Sequence, residues 1–210
     1  TEDHRVNILA APVAIDSQPF VDSLYDPATK LSCRIVPKDV GIDQTTSLRP
    51  RVWAKRLEAT QWKSFPGTLQ SGNATNGEWV FLINNDSLGV RRNGCDSIQY
   101  YFVAQDVNTP PNIGFLPEIG ASHTNVNTQV TAPGIPFGYR LVPRLKDTVY
   151  VSASDCRYQS LSAKNGIFDD IAKRGLEGDL TILIESDLIE SAEVPLRGDR
   201  QNVHRVKIAP

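Results

Sequence analysis

Short apolar runs recur every twelve to twenty residues between residue 1 and about 142, and each is stopped by Pro, Gly, Asn or Asp. RVNILAAPVAI breaks at Pro12, and ATKLSCRIVP alternates, with Leu31, Cys33 and Ile35 on one face and Lys30, Ser32 and Arg34 on the other. RPRVWAKRLEA sets Val52 opposite Trp53, GEWVFLIN is strongly apolar, and SIQYYFVAQD alternates Ile98, Tyr100 and Phe102 with Gln99, Tyr101 and Val103. A period of two places successive side chains on opposite faces, and no helical periodicity intervenes between the runs. That combination favours two packed antiparallel sheets over βαβ units. The pattern predicts an immunoglobulin-like antiparallel β-sandwich over residues 1–142, with Trp79, Tyr100 and Phe102 in its core. SIQYYFVAQD reads as a penultimate or edge-proximal strand. Pro66 and Gly67 read as a linker, NNDSLGVRRNG as a turn-rich connection and NTPPNIGFLPEIGAS as a long loop.

The pattern changes over residues 143–210. KDTVYVSAS reads as a strand, and SLSAKNGIFDDIAKRGL as a helix with Leu161, Ile167, Phe168, Ile171 and Ala172 on one face and Gly175 as its stop. DLTILIESDLIES, EVPLRG and HRVKIAP follow as strands. About 68 residues with few apolar clusters predict a segment that cannot complete a core alone.

Net charge is −2, which supplies no electrostatic drive toward nucleic acid or an anionic membrane. No run approaches the ~20 apolar residues of a membrane helix. The chain starts at Thr1 and holds no methionine, so it reads as a mature or excised piece. Cys33, Cys95 and Cys156 lack metal-ligand spacing, and sequence alone does not choose a disulfide pair among them.

Catalysis needs convergent groups. His4, His123 and His204 have no nucleophile or carboxylate at a suggestive spacing. Asp169, Asp170, Glu185, Asp187 and Glu190 could form a paired-carboxylate site, but a solvated helix face and outward strand positions explain them better. The expectation is therefore no catalytic residue and no resident cofactor. Calcium is the one metal the loops could hold, through Asn84, Asn85 and Asp86 or Asp106, Asn108 and Asn112. The same residues are the commonest turn formers, and turns are the favoured reading. Trp62 lies outside any strand pattern and is the aromatic expected to be exposed, a candidate for stacking on sugar.

Two stretches resemble secreted surface proteins of the Bacteroidetes exported by the type IX system, which also serves gliding motility. One is KLSCRIVPKDVGI through NGCDSIQYYFVAQDVNTPPNIGFLP, similar to their Ig-like domains. The other is KDTVYVSASDCRYQSLSAKNGIFDDIAKRGLEGDLTILIESDLIES through VKIAP, which resembles the opening of their parallel β-helix or repeat region. Where the usual repeat opens with glycines, this chain has Ser154-Asp-Cys-Arg-Tyr158. The resemblance implies a non-enzymatic, adhesin-like module on the extracellular cell surface, part of a longer chain that meets type IX translocon and attachment proteins and surface glycans. Asp22-Ser23-Leu24, Asp86-Ser87-Leu88, Asp96-Ser97-Ile98 and Asp147-Thr148-Val149 resemble the O-glycosylation acceptor of such glycoproteins, which makes Ser23, Ser87, Ser97 and Thr148 candidates. The alternative expectation is a carbohydrate-binding or support module of a secreted glycan-degrading enzyme, including a β-helical lyase or hydrolase.

Overall fold

A computed structural model describes residues 13–45, 47–90, 96–197 and 203–210. The chain is mainly β, and the described residues divide into two compact units. The first takes in 13–21, 26–90 and 97–139, and the second 22–25, Asp96 and the residues from Arg140 onward.

In the first unit, β1 (Val13–Asp16), β3 (Ala28–Pro37) and β6 (Asn76–Asn84) form one antiparallel layer. A second layer holds β4 (Arg51–Arg56), β7 (Ser97–Gln105) and β8 (Ile113–Leu116). Strand β5 (Lys63–Asn73) belongs to both: Lys63–Pro66 pair with β4, and the run from Gly67 to Asn73 pairs with β6. Pro66-Gly67 is thus a corner where one strand changes sheets, not a linker. Gly67 is required there, because a Cβ would lie 2.6 Å from the Phe81 ring. Most of β5 is exposed and polar, which hid it from any alternation signal.

The two layers enclose a core in which Leu31, Cys33, Ile35, Trp79 and Phe81 face Val52, Ile98, Tyr100 and Phe102. The Phe81 and Phe102 rings stand 5.2 Å apart. The expected core residues Trp79, Tyr100 and Phe102 are all in it. Strand β7 is penultimate in this layer, as expected, because among the described residues β8 beyond it pairs with no further strand. It pairs with β4 on one side and β8 on the other, and its outward face is covered as well. That cover is a polar hairpin of β9 (Ser122–Asn125) and β10 (Thr128–Thr131), which brings Val126 onto Trp53, Tyr101 and Val103. Strand β8 and this hairpin fall in and after the stretch expected to be a long loop. On the far side from the β5 corner, β1 approaches β8 so closely that a Cβ on Gly114 would sit 2.1 Å from the Val13 carbonyl oxygen.

In the second unit, β12 (Asp147–Val151), β13 (Leu180–Ile184) and β14 (Val206–Ala209) are parallel and adjacent in chain order. Strand β2 (Ser23–Leu24) pairs in parallel with the end of β11 (Phe137–Val142), Ser23 with Leu141 and Leu24 with Val142, while Phe137–Tyr139 of β11 fall in the first unit. The helix α1 is shorter than the sequence suggests, Ile167–Arg174. Over residues 159–166 hydroxyls bond the backbone instead: Ser160 Oγ accepts from the amides of Ser162 and Ala163, and Asn165 adopts a φ of 67°. Gly175 ends the helix as expected, at a φ of 75°. EVPLRG forms no strand over its described residues. This unit has its own core, contrary to expectation, with Leu145, Val149, Val151, Tyr158, Ile167, Ile171, Leu180 and Ile182 buried together. Cys33 is buried and free, Cys156 is disulfide-bonded, and Cys95 lies outside the described residues.

Gly114→Ala should destabilise the first unit by about 2–3 kcal/mol, because the backbone carbonyl it meets cannot move without parting β1 from β8. Urea unfolding followed by tryptophan fluorescence checks this, with Gly89→Ala as the control for a glycine whose Cβ would meet nothing.

Candidate functional site

Strand β7 ends at Gln105, Asp106 follows it, and buried polar groups of the first unit gather at that end. Gln105 is buried, and its Oε1 accepts the Val126 amide at 2.9 Å, which anchors the covering hairpin. Asp106 is only 2% exposed. Its Oδ1 accepts the amides of Asn108 and Asn112, at 3.1 and 2.9 Å, and its Oδ2 accepts both Asn side-chain amides, at 2.8 and 2.6 Å. Burial opposes ionisation here, but those four hydrogen bonds outweigh it and hold the carboxyl below its usual range. A cleft of about 390 Å³ lies beside it, with Asp43, Leu48, Thr124 and Asn125 on its walls. Asp43 is also buried, its Oδ1 accepting the Thr45 amide at 2.8 Å.

The loop thus organises itself around the carboxylate. Of the calcium candidates, Asp106 and Asn108 bond each other. Asn85 is fully buried and donates to the Asp26 carbonyl and Thr29 Oγ1, and Asp86 is exposed beside it. Asn84 accepts the Ser87 amide, as a turn former does. Among the described residues no three His, Cys, Asp or Glu side chains stand close enough to share a metal ion.

His123 is buried among Trp53, Tyr101 and Phe115, with Nε2 2.9 Å from the Tyr101 hydroxyl and Nδ1 3.2 Å from the Asn125 carbonyl. Burial pushes the imidazole below its ordinary pKa, which keeps it neutral. Trp62 is half-buried, not exposed: its ring meets Tyr101 edge-on at 5.0 Å and carries the Lys55 ammonium at 5.4 Å. His204 lies 4.0 Å from Asp179, and His4 is outside the described residues.

The carboxylates of the second unit are tied in the same way. Asp170 accepts the Tyr158 hydroxyl at 2.5 Å, Arg157 at 3.0 Å and two nitrogens of Arg174 at 2.8 Å. Burial again opposes its ionisation, and these donors prevail. The Tyr158 hydroxyl is pushed up to about 12, by burial first and then by the adjacent carboxylate. Asp169 pairs with Lys173 one turn along the helix. Glu190 receives the amides of Leu161 and Ser162 and the hydroxyls of Ser160 and Ser162, and it pins residues near 190 onto the turn at 160–162. Slight burial opposes ionisation, but these donors bring its pKa down to about 2. Glu185 and Asp187 are exposed. The five carboxylates are therefore spread over separate structural duties.

Of the glycosylation candidates, Ser87 is exposed on the turn after β6, with its hydroxyl on the Asn84 carbonyl. Ser23 and Ser97 are half-buried within β2 and β7, and Thr148 is exposed but lies inside β12, opposite Thr181. The buried hub of Gln105, Tyr101 and His123 had no sequence signal, because the hairpin that completes it is polar.

No family model matches the chain, and no curated protein matches it. Among solved structures it is similar to AggA, the major subunit of aggregative adherence fimbriae type I from Escherichia coli. That likeness spans 63% of this chain and 94% of the other at 10% identity, with a TM-score of 0.27, too slight to carry an argument.

Two measurements follow from the tied carboxylates. Asp106→Ala should cost about 2–4 kcal/mol in urea unfolding, since four donors lose a charged acceptor. Glu190 has a folded pKa of about 2 against 4.5 unperturbed, so its contribution is complete above pH 4.5 and disappears as pH falls toward 2. Glu190→Gln should flatten the acid loss of stability within that window; parallel losses in both proteins would show that the fold does not titrate through this group.

Proposed function

We propose that the chain is a non-enzymatic module of a large secreted cell-surface protein, an adhesin-like cargo of type IX export that spaces or presents an adhesive region. The observation that carries this reading is how the ionisable groups are used. Asp106, Asp170 and Glu190 each accept several donors from their own chain. Acid–base chemistry needs a carboxyl free to exchange its proton with a substrate, and these three hold loops and a helix in place. Parallel strands adjacent in chain order, as in β12, β13 and β14, are also the unit from which a β-helical repeat region is built. On this reading the protein sits outside the cell, and sugar is carried on Ser23 or Ser87, of which Ser87 has the more open setting.

Deleting residues 1–142 from the full-length protein should reduce surface display or adhesion. Display and adhesion that survive unchanged would remove the basis for a presenting module. Intact mass of native protein from its source gives an independent check, with the expected result a mass increment mapped to the Ser23 or Ser87 peptide. Polysaccharide titration followed by tryptophan fluorescence should give no response, since Trp62 is already engaged by Tyr101 and Lys55.

A further inference from the structure

The sandwich of the first unit is closed on one side by the bend of β5 and on the other only in part. Strand β1 covers β3 from Pro37 to Arg34, where Asp16 pairs with Arg34, and then the chain leaves the sheet. Ser17 Oγ donates to the Ser32 carbonyl at 2.8 Å, and the Phe20 amide donates to the Tyr100 hydroxyl at 2.8 Å. No backbone strand runs beside residues 28–33 of β3 on that side among the described residues.

The pleat fixes which groups this leaves unpaired. In an antiparallel strand the N–H and C=O of one residue point to the same side, and successive residues alternate. The Pro27 carbonyl accepts the Asn85 amide on the β6 side, and the Ser32 carbonyl accepts Ser17 on the seam side. Odd-numbered residues therefore bond β6, and Lys30 and Ser32 turn their backbone toward the seam. Neither the Lys30 N–H and C=O nor the Ser32 N–H has a backbone partner among the described residues.

A cleft of about 510 Å³ runs along this edge, with Leu31, Cys33, Tyr100 and Phe102 lining it and Ser17 and Phe20 on its opposite wall. That volume lies within the range of roughly 300–1,000 Å³ typical of ligand clefts. Its charges, Asp16 and Glu78 against Lys30 and Arg34, cancel in number but are unevenly placed. Asp16 and Glu78 stand opposite Arg34 in register on its two neighbouring strands, whereas Lys30 makes no ion pair or hydrogen bond among the described residues.

We propose that this open half of the seam is a docking site for an extended peptide of a partner protein, which adds as a strand on Lys30 and Ser32. Its alternate apolar side chains would enter the cleft, and a carboxylate on its outward face would meet Lys30. The backbone edge demands an extended chain, the core residues in the cleft demand a period of two, and the unpaired ammonium demands an acid. This goes beyond the role of a surface module and holds whether or not the chain is exported.

The test uses the intact chain and amide hydrogen exchange read by NMR, with and without the N-acetylated heptapeptide Val-Thr-Val-Asp-Val-Thr-Val. In the free protein the Lys30 and Ser32 amides should exchange about a hundredfold faster than those of Leu31 and Cys33, which bond β6. Saturating peptide should slow Lys30 and Ser32 about tenfold and shift the resonances of residues 17–21. A twin N-methylated at alternate residues, unable to donate, should do neither, and Lys30→Glu should weaken binding about tenfold. Equal protection of all four amides in the free protein would mean that the seam is already closed, and the proposal falls. Fast exchange that the peptide leaves unchanged would mean an edge merely blunted by Lys30, and the proposal falls equally.

Discussion

Strand β7 has apolar neighbours on both faces, and the first unit is arranged around that fact. Ile98, Tyr100 and Phe102 point into the space between the layers, while Tyr101 and Val103 point the other way into a second cluster with Trp53 and Val126. Each such side chain contributes roughly 1.5–3 kcal/mol when fully buried, so a strand with no solvent face outweighs any single neighbour. It also explains the polar hairpin. Ser122–Asn125 and Thr128–Thr131 have little apolar surface of their own, and they are held by Gln105 gripping the Val126 amide and Trp53 donating to the Val126 carbonyl. Two buried hydrogen bonds to one residue thus fix the lid of the second cluster.

The second unit solves a harder problem, a small core beside a short helix. Eight buried apolar side chains do the bulk of the work, and Asp170 joins three donor residues that come from the helix and from the turn before it. A buried carboxylate adds little net stability over an apolar substitute, but leaving it unpaired is costly. Alternative packings of α1 would strand either the charge or the Tyr158 hydroxyl. The hub therefore selects one arrangement from among several of similar hydrophobic content.

What was legible in the sequence was whatever carried its own period. The strands β3 and β6 alternate, and their inward residues are the buried ones, whereas β7 carries apolar residues on both faces and is buried on both from Tyr100 onward. Strand β5 was illegible because it is mostly exposed and because its Pro-Gly pair, the usual mark of a connection, sits at a bend within the strand. The helix was overextended because Ser160 Oγ takes the amides of Ser162 and Ala163 and Asn165 turns to a positive φ in place of continuing the spiral, a choice that apolar spacing does not register. The Asp106 loop was ambiguous for a chemical reason. Asn and Asp serve cations and backbone amides equally well, and only the placement of four N–H groups around one carboxylate distinguishes the uses.

The close approach of Gly114 to Val13 also has a bearing on time. The two residues lie about a hundred positions apart, and the entropy of closing a loop that long must be met before their contact returns anything. The bend at Pro66-Gly67, by contrast, joins strands that follow one another directly in the chain. During synthesis β3, β4, β5 and β6 can assemble early, while β1 has no partner on its outer side until β8 has emerged. Strand β1, made before β3 and β8, is thus among the last whose surroundings are complete, and folding of this unit is set by its topology more than by the strength of any one contact.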